Sequence, residues 1–200
     1  MVRAISGGST DAGATGDNHE WVEYTNYDPS CTYDLAGVRA VLTWSTINHY
    51  SFTFPAGTTV APGASVVLAD SKAVFLADAS SYGLNPAIVF DLGASAGDVI
   101  GNSDELTFTV YAAGATLPFE TAIIKSRATT GYPTWPVHGQ SFAFPSACDP
   151  SLRLDASNYT TAHWVDVPAT APDQYGMVSA TSAALYGFPG KRNALGATCP

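Results

Sequence analysis

The strongest constraint on this chain is a series of short extended fragments, each closed by a glycine or proline turn. Glu20-Trp21-Val22-Glu23 is followed by Asp34-Leu35-Ala36-Gly37. Then comes Phe54-Pro55-Ala56-Gly57-Thr58-Thr59-Val60-Ala61-Pro62-Gly63, running into Val66-Val67-Leu68-Ala69. β-Branched and aromatic side chains fit a pleated surface, and Gly and Pro punctuate it. Each fragment reads as a strand or a turn, and none carries catalytic chemistry. The series therefore speaks about fold far more than about function.

The rest of the chain extends the pattern. Val2-Arg3-Ala4-Ile5 predicts a first strand, and the Gly, Ser, Thr and Asp of 6–18 predict a loop. Over 20–25, Trp21 and Glu23 oppose Val22 and Tyr24, as on a strand with two different faces. Further strands are expected at 38–44, 50–54, 65–69, 88–92, 105–111 and 117–125. Leu106, Phe108 and Val110 alternate with threonines, which implies one buried face and one wetter face. A single short helix is expected after a cap at Asp70 or Ser71. Ala73, Val74, Leu76 and Ala77 form its apolar stripe, and it should end near Tyr82-Gly83. After Ser126 Pro and Gly recur, and only 141–144 looks extended. Short strands with turns between them predict an antiparallel sandwich.

Length and charge narrow the class. A chain of 200 residues with 46% hydrophobic content can bury one substantial core, so a single domain over 1–200 is expected. Its core motifs occupy 1–126, and 127–200 is expected to be an irregular wrap with closing strands. Charged residues make up 12% of the chain, against about 25% in ordinary globular domains. That economy suits a turn-rich all-β protein or compositional drift toward alanine. The net charge is −9 with eight Lys and Arg, scattered except for Lys191-Arg192. A nucleic-acid groove needs clustered cations, so no nucleic-acid partner is expected. No apolar run approaches the ~20 residues that span a bilayer, so no membrane insertion is expected. Met1 suits either a trimmed secreted domain or a natively started product such as a component of a phage particle.

Cys31, Cys148 and Cys199 match no zinc spacing. Two could bridge, leaving one thiol. Cys148 and Cys199 sit in segments expected to be irregular and are the favoured pair, against three free, mostly buried thiols.

In their order, these motifs resemble the lamin tail domain, including its bacterial and phage-type members. In that family an Glu-Phe/Trp-Val-Glu strand ends at an Asn, matched by Glu20 to Glu23 and Asn26. An Asp-Leu-Ser-Gly step is matched by Asp34-Leu35-Ala36-Gly37, with Ala36 in place of Ser and Val38 where a Trp often follows. Phe-Pro-Ala-Gly-Thr and Pro-Gly turns are matched by Phe54 to Thr58 and by Pro62-Gly63. A short helix ending in Tyr-Gly is matched by Phe75 to Gly83, and a polar turn before an alternating strand by Asn102-Ser103-Asp104-Glu105. Trp164 and Gly187-Phe188-Pro189-Gly190-Lys191-Arg192-Asn193 match the family's late Trp and closing Gly-Thr-Pro-Gly-x-x-Asn. The stretch 127–182 is longer than the family's usual end. The resemblance implies an all-β, antiparallel immunoglobulin-like β-sandwich with one short helix and a long irregular C-terminal region. It also implies a non-catalytic role.

Candidate chemistry is sparse. Glu20 and Glu23 are three apart, so a strand turns them to opposite faces and they make a poor acid–base pair. The loop from Asp11 to Asp17, with Asp98 and Asp104, offers oxygen ligands for Ca²⁺ but no ordered calcium-loop pattern. No cofactor is expected, with Ca²⁺ as the alternative. His19, His49, His138 and His163 are isolated, and no GxSxG occurs. Tyr132-Pro133-Thr134-Trp135-Pro136-Val137-His138 is the candidate recognition loop, with Tyr132, Trp135 and His138 as its partner-binding residues. The competing reading is a docking loop whose Trp135 plugs the sandwich edge. Asn158-Tyr159-Thr160 is a glycosylation acceptor if the chain is secreted. The expected function is a structural or binding module, extracellular or at the cell surface, holding a protein or glycan partner. The alternatives are a virion decoration or fibre subunit and a hydrolase with an unrecognised site.

Overall fold

The computed structural model describes residues 2–6, 21–26, 28, 30–44, 47–78, 85–92, 106–124, 141–143, 165–166, 175–178 and 184–187. The chain is all-β, and the described residues include one short α-helix. Strands β1 (Val2–Ser6), β2 (Trp21–Thr25), β7 (Ser65–Ala69), β8 (Val89–Asp91), β11 (Ser141–Ala143) and β12 (Val165–Asp166) form a six-stranded sheet in the order β12-β11-β1-β2-β7-β8. Strands β4 (Arg39–Trp44), β5 (Ile47–Thr53), β9 (Leu106–Tyr111) and β10 (Glu120–Ile124) form a second sheet in the order β10-β9-β4-β5. Two small ladders complete the set. One joins β3 (Tyr33–Asp34) to β6 (Thr59–Val60), and the other joins β13 (Tyr175–Val178) to β14 (Ala184–Gly187).

The motif residues make the corners. The Asp34 carboxylate accepts the Ala36 N–H at 2.9 Å, as a short acid in a tight turn should. That turn is tied to the Phe-Pro-Ala-Gly-Thr turn: Leu35 N–H reaches Thr58 O at 2.8 Å, and Gly37 N–H reaches Phe54 O at 3.0 Å. Gly37 adopts φ 74°, and a Cβ built there would stand 3.1 Å from the Ala113 Cβ. Both facts call for glycine. Asn26 anchors the next corner. Its side-chain amide donates to Cys31 O at 2.8 Å and Val60 O at 2.9 Å, while its backbone carbonyl accepts Gly63 N–H at 2.9 Å.

The core lies on both faces of β2. Its pairing with β7 sets Trp21 opposite Ala69, Val22 opposite Leu68, Glu23 opposite Val67 and Tyr24 opposite Val66. On one face Trp21, Val67, Ala69 and Val89 pack with Phe75 from helix α1 (Lys72–Asp78). The other face meets the second sheet: the Tyr24 and Tyr50 hydroxyls are 3.3 Å apart, and Phe90 lies 5.7 Å from Phe52 between ring centroids. Each such fully buried large side chain contributes roughly 1.5–3 kcal/mol. Strand β2 thus has the two faces the sequence predicts, and both are buried.

Three expectations need correction. The pairing is not wholly antiparallel, because β7 and β8 run parallel, with Leu68 beside Phe90. A parallel pair needs a long crossover, and here α1 and a 3-10 turn at Pro86–Ile88 lie in the connection. The strand expected over 117–125 begins only at Glu120, because residues 117–119 complete the turn that starts at Ala113-Gly114. In the C-terminal region, expected to be an irregular wrap with closing strands and only 141–144 looking extended, β11 falls where expected. The described residues there carry three more short strands, β12 to β14, and β11 and β12 extend the six-stranded sheet through β1. Alternation over so few residues is too weak to reveal β12 to β14, and backbone pairing supplies their order. The helix begins as expected, with Val74 N–H at 3.4 Å from the Ser71 hydroxyl. Its expected end at Tyr82-Gly83 lies outside the described residues.

Candidate functional site

Strand alternation sorts the second sheet into two faces. Leu106, Phe108 and Val110 of β9 are buried, and the threonines and Tyr111 between them are half-buried. This is the wet and dry alternation that the sequence predicts. Ala40 and Leu42 of β4 share the inner face with them, opposite Val110 and Phe108. On β10 Glu120 sits opposite Val110 and is also buried. The outer face therefore carries Arg39, Val41 and Thr43 from β4, Thr107, Thr109 and Tyr111 from β9, and Thr121 from β10.

One row on this face stands apart. Arg39 is in register with Thr53 on one side and Tyr111 on the other. Its guanidinium lies over the Tyr111 ring, 4.1 Å from the centroid, a favourable placement for a cation against the negative face of an aromatic ring. Phe119 lies in the bend just before β10. Its N–H bonds Val110 O at 2.9 Å, one position out of the register that pairs Glu120 with Val110. Phe119 is 56% exposed, and Leu117, two positions earlier, is 80% exposed. Isolated exposed apolar residues mean little. Here a cation and an aromatic ring share one face at the end of β9, and the exposed apolar pair lies in the turn that follows.

The turn that carries Leu117 and Phe119 is anchored. Ala115 N–H bonds Ala112 O at 3.0 Å, and Gly114 takes φ 72°. Ala113 rests against the Gly37 turn. The side chains are thus presented from a held backbone, which lowers the ordering cost of any contact they make.

Other polar groups serve the scaffold. Between the sheets, burial raises the Tyr24 hydroxyl well above its usual pKa, with Tyr50 and the Glu120 carboxylate adding to the effect. Burial likewise raises Tyr50. At the corner after β2, the backbone N–H groups of Ser30 and Cys31, with the Ser30 hydroxyl, hold Asp28 down to about 2. These donors lie 2.8, 2.8 and 3.0 Å from its Oδ1. A carboxylate enclosed by that many donors orders a loop without any ligand. On the six-stranded sheet Glu23 is fully buried, and the Thr25 hydroxyl donates to its Oε1 at 3.2 Å.

The residues expected to form the site are elsewhere. Tyr132, Trp135, His138, Cys148 and Cys199 lie outside the described residues, as do Asp11, Asp17, Asp98 and Asp104. Cys31 is an exposed free thiol. Among the described residues no group of three His, Cys, Asp or Glu could hold a metal ion. Among them too, no helix is long and apolar enough to cross a membrane. The Arg39 row escaped sequence reasoning, although a signal was present. Arg39 and Tyr111 fall at the solvent parity of two core strands, and Leu117-Pro118-Phe119 puts apolar residues in a turn.

No protein-family model matches the chain, and no curated protein compared with it matches.

Proposed function

We propose that this chain is a non-catalytic binding or structural module at an outer surface, extracellular or cell-surface, built on a lamin-tail-like immunoglobulin-type β-sandwich. The observation that carries the reading is the Arg39–Tyr111 stack at the end of β9, followed by a turn that exposes Leu117 and Phe119. Arginine and aromatic residues are the types that dominate recognition surfaces. The sandwich is supported by the contacts of Tyr24 with Tyr50 and of Phe90 with Phe52, which join the two large sheets. The lamin-tail relationship is supported by the corners: the Asp-Leu-Ala-Gly and Phe-Pro-Ala-Gly-Thr turns are bonded to each other, and Asn26 is bonded to the Pro-Gly turn.

The test is to probe arrays of extracellular proteins and of glycans with the intact chain and with a Phe119→Ala, Leu117→Ser double variant. The expected result is a saturable partner for the parent chain that the variant loses. Turnover of chromogenic ester, glycoside or phosphoester substrates by the purified chain would overturn the non-catalytic reading. Equal binding by both chains would move the surface elsewhere.

A further inference from the structure

We draw no further inference here: the strongest candidate, the exposed apolar turn at Leu117 and Phe119 that follows β9, belongs to the surface already described, and nothing in the structure shows what covers it.

Discussion

The Tyr24 and Tyr50 hydroxyls lie 3.3 Å apart where the two large sheets meet. Each hydroxyl is buried, and each is satisfied in part by the other. Removing one therefore strands its partner, which costs more than the bond itself contributes. Tyr50→Phe is expected to lower unfolding free energy by about 1–3 kcal/mol. The Tyr24→Phe, Tyr50→Phe double variant should lose less than the sum of the two single changes. Urea unfolding of the four chains measures the difference.

The same pair makes the fold sensitive to alkali. Burial raises both folded-state pKa values above the unfolded value of about 10. Above that pH the unfolded chain releases protons that the folded chain keeps. Stability is fully present below pH ~10 and should then fall by up to about 1.4 kcal/mol per pH unit for each tyrosine. Thermal unfolding between neutral pH and strong alkali is expected to show this limb in the parent and a shallower one in the double Phe variant.

Asp28 sets the opposite limb. Its carboxyl is held at about 2, below its ordinary value of 3.8, by the Ser30 and Cys31 N–H groups. The order it gives the corner is present above pH ~4 and is lost as pH falls toward 2. An NMR titration should place the Asp28 midpoint near 2. Asp28→Asn should make the Ser30 and Cys31 amides less protected from exchange at neutral pH. A midpoint in the ordinary carboxylate range would contradict the donor geometry.

Gly37 and Gly57 both take positive φ, at 74° and 81°, yet they should respond differently to alanine. A side chain in that region costs about 1–2 kcal/mol at either position. At Gly57 the new Cβ meets nothing within 4 Å, whereas at Gly37 it meets Ala113 at 3.1 Å. Gly37→Ala is therefore expected to be the more destabilising of the two in denaturant unfolding. An added Ala113→Gly change should recover part of the loss.

Trp21 and Phe75, 6.2 Å apart between centroids, tie the helix to the six-stranded sheet. Phe75→Ala leaves a cavity beneath Trp21 and should cost about 3–5 kcal/mol. Exposed Phe119→Ala should stay within about 0.5 kcal/mol of the parent. Calorimetry on the two variants separates a residue that holds the fold from one that is free to serve a partner.

The corners were legible because their chemistry is local. Asp34 has its N–H acceptor role within two residues, and Gly37, Gly57 and Gly63 have their positive φ where the turn composition places it. The alternation of Leu106, Phe108 and Val110 against threonine was legible for the same reason. The parallel β7–β8 pair was not, because a backbone ladder accepts either direction and the crossover decides which is reached. The pairing of Ala4 with Ala143 was equally hidden. It joins segments far apart in the chain through backbone groups that every residue carries. The Arg39–Tyr111 stack was hidden because the two residues become neighbours only once β4 and β9 are in register.

By itself the sequence determined the all-β class, the positions of most strands, the short helix and the glycine corners. Periodicity and turn stereochemistry act over a few residues and leave direct marks in the chain. Only the tertiary structure decided which strands pair, which of two faces is dry, and that Arg39 lies over Tyr111. Strand pairing uses the same N–H and C=O groups everywhere, so its selectivity comes from burying apolar faces together, and burial is a property of the assembled sheets.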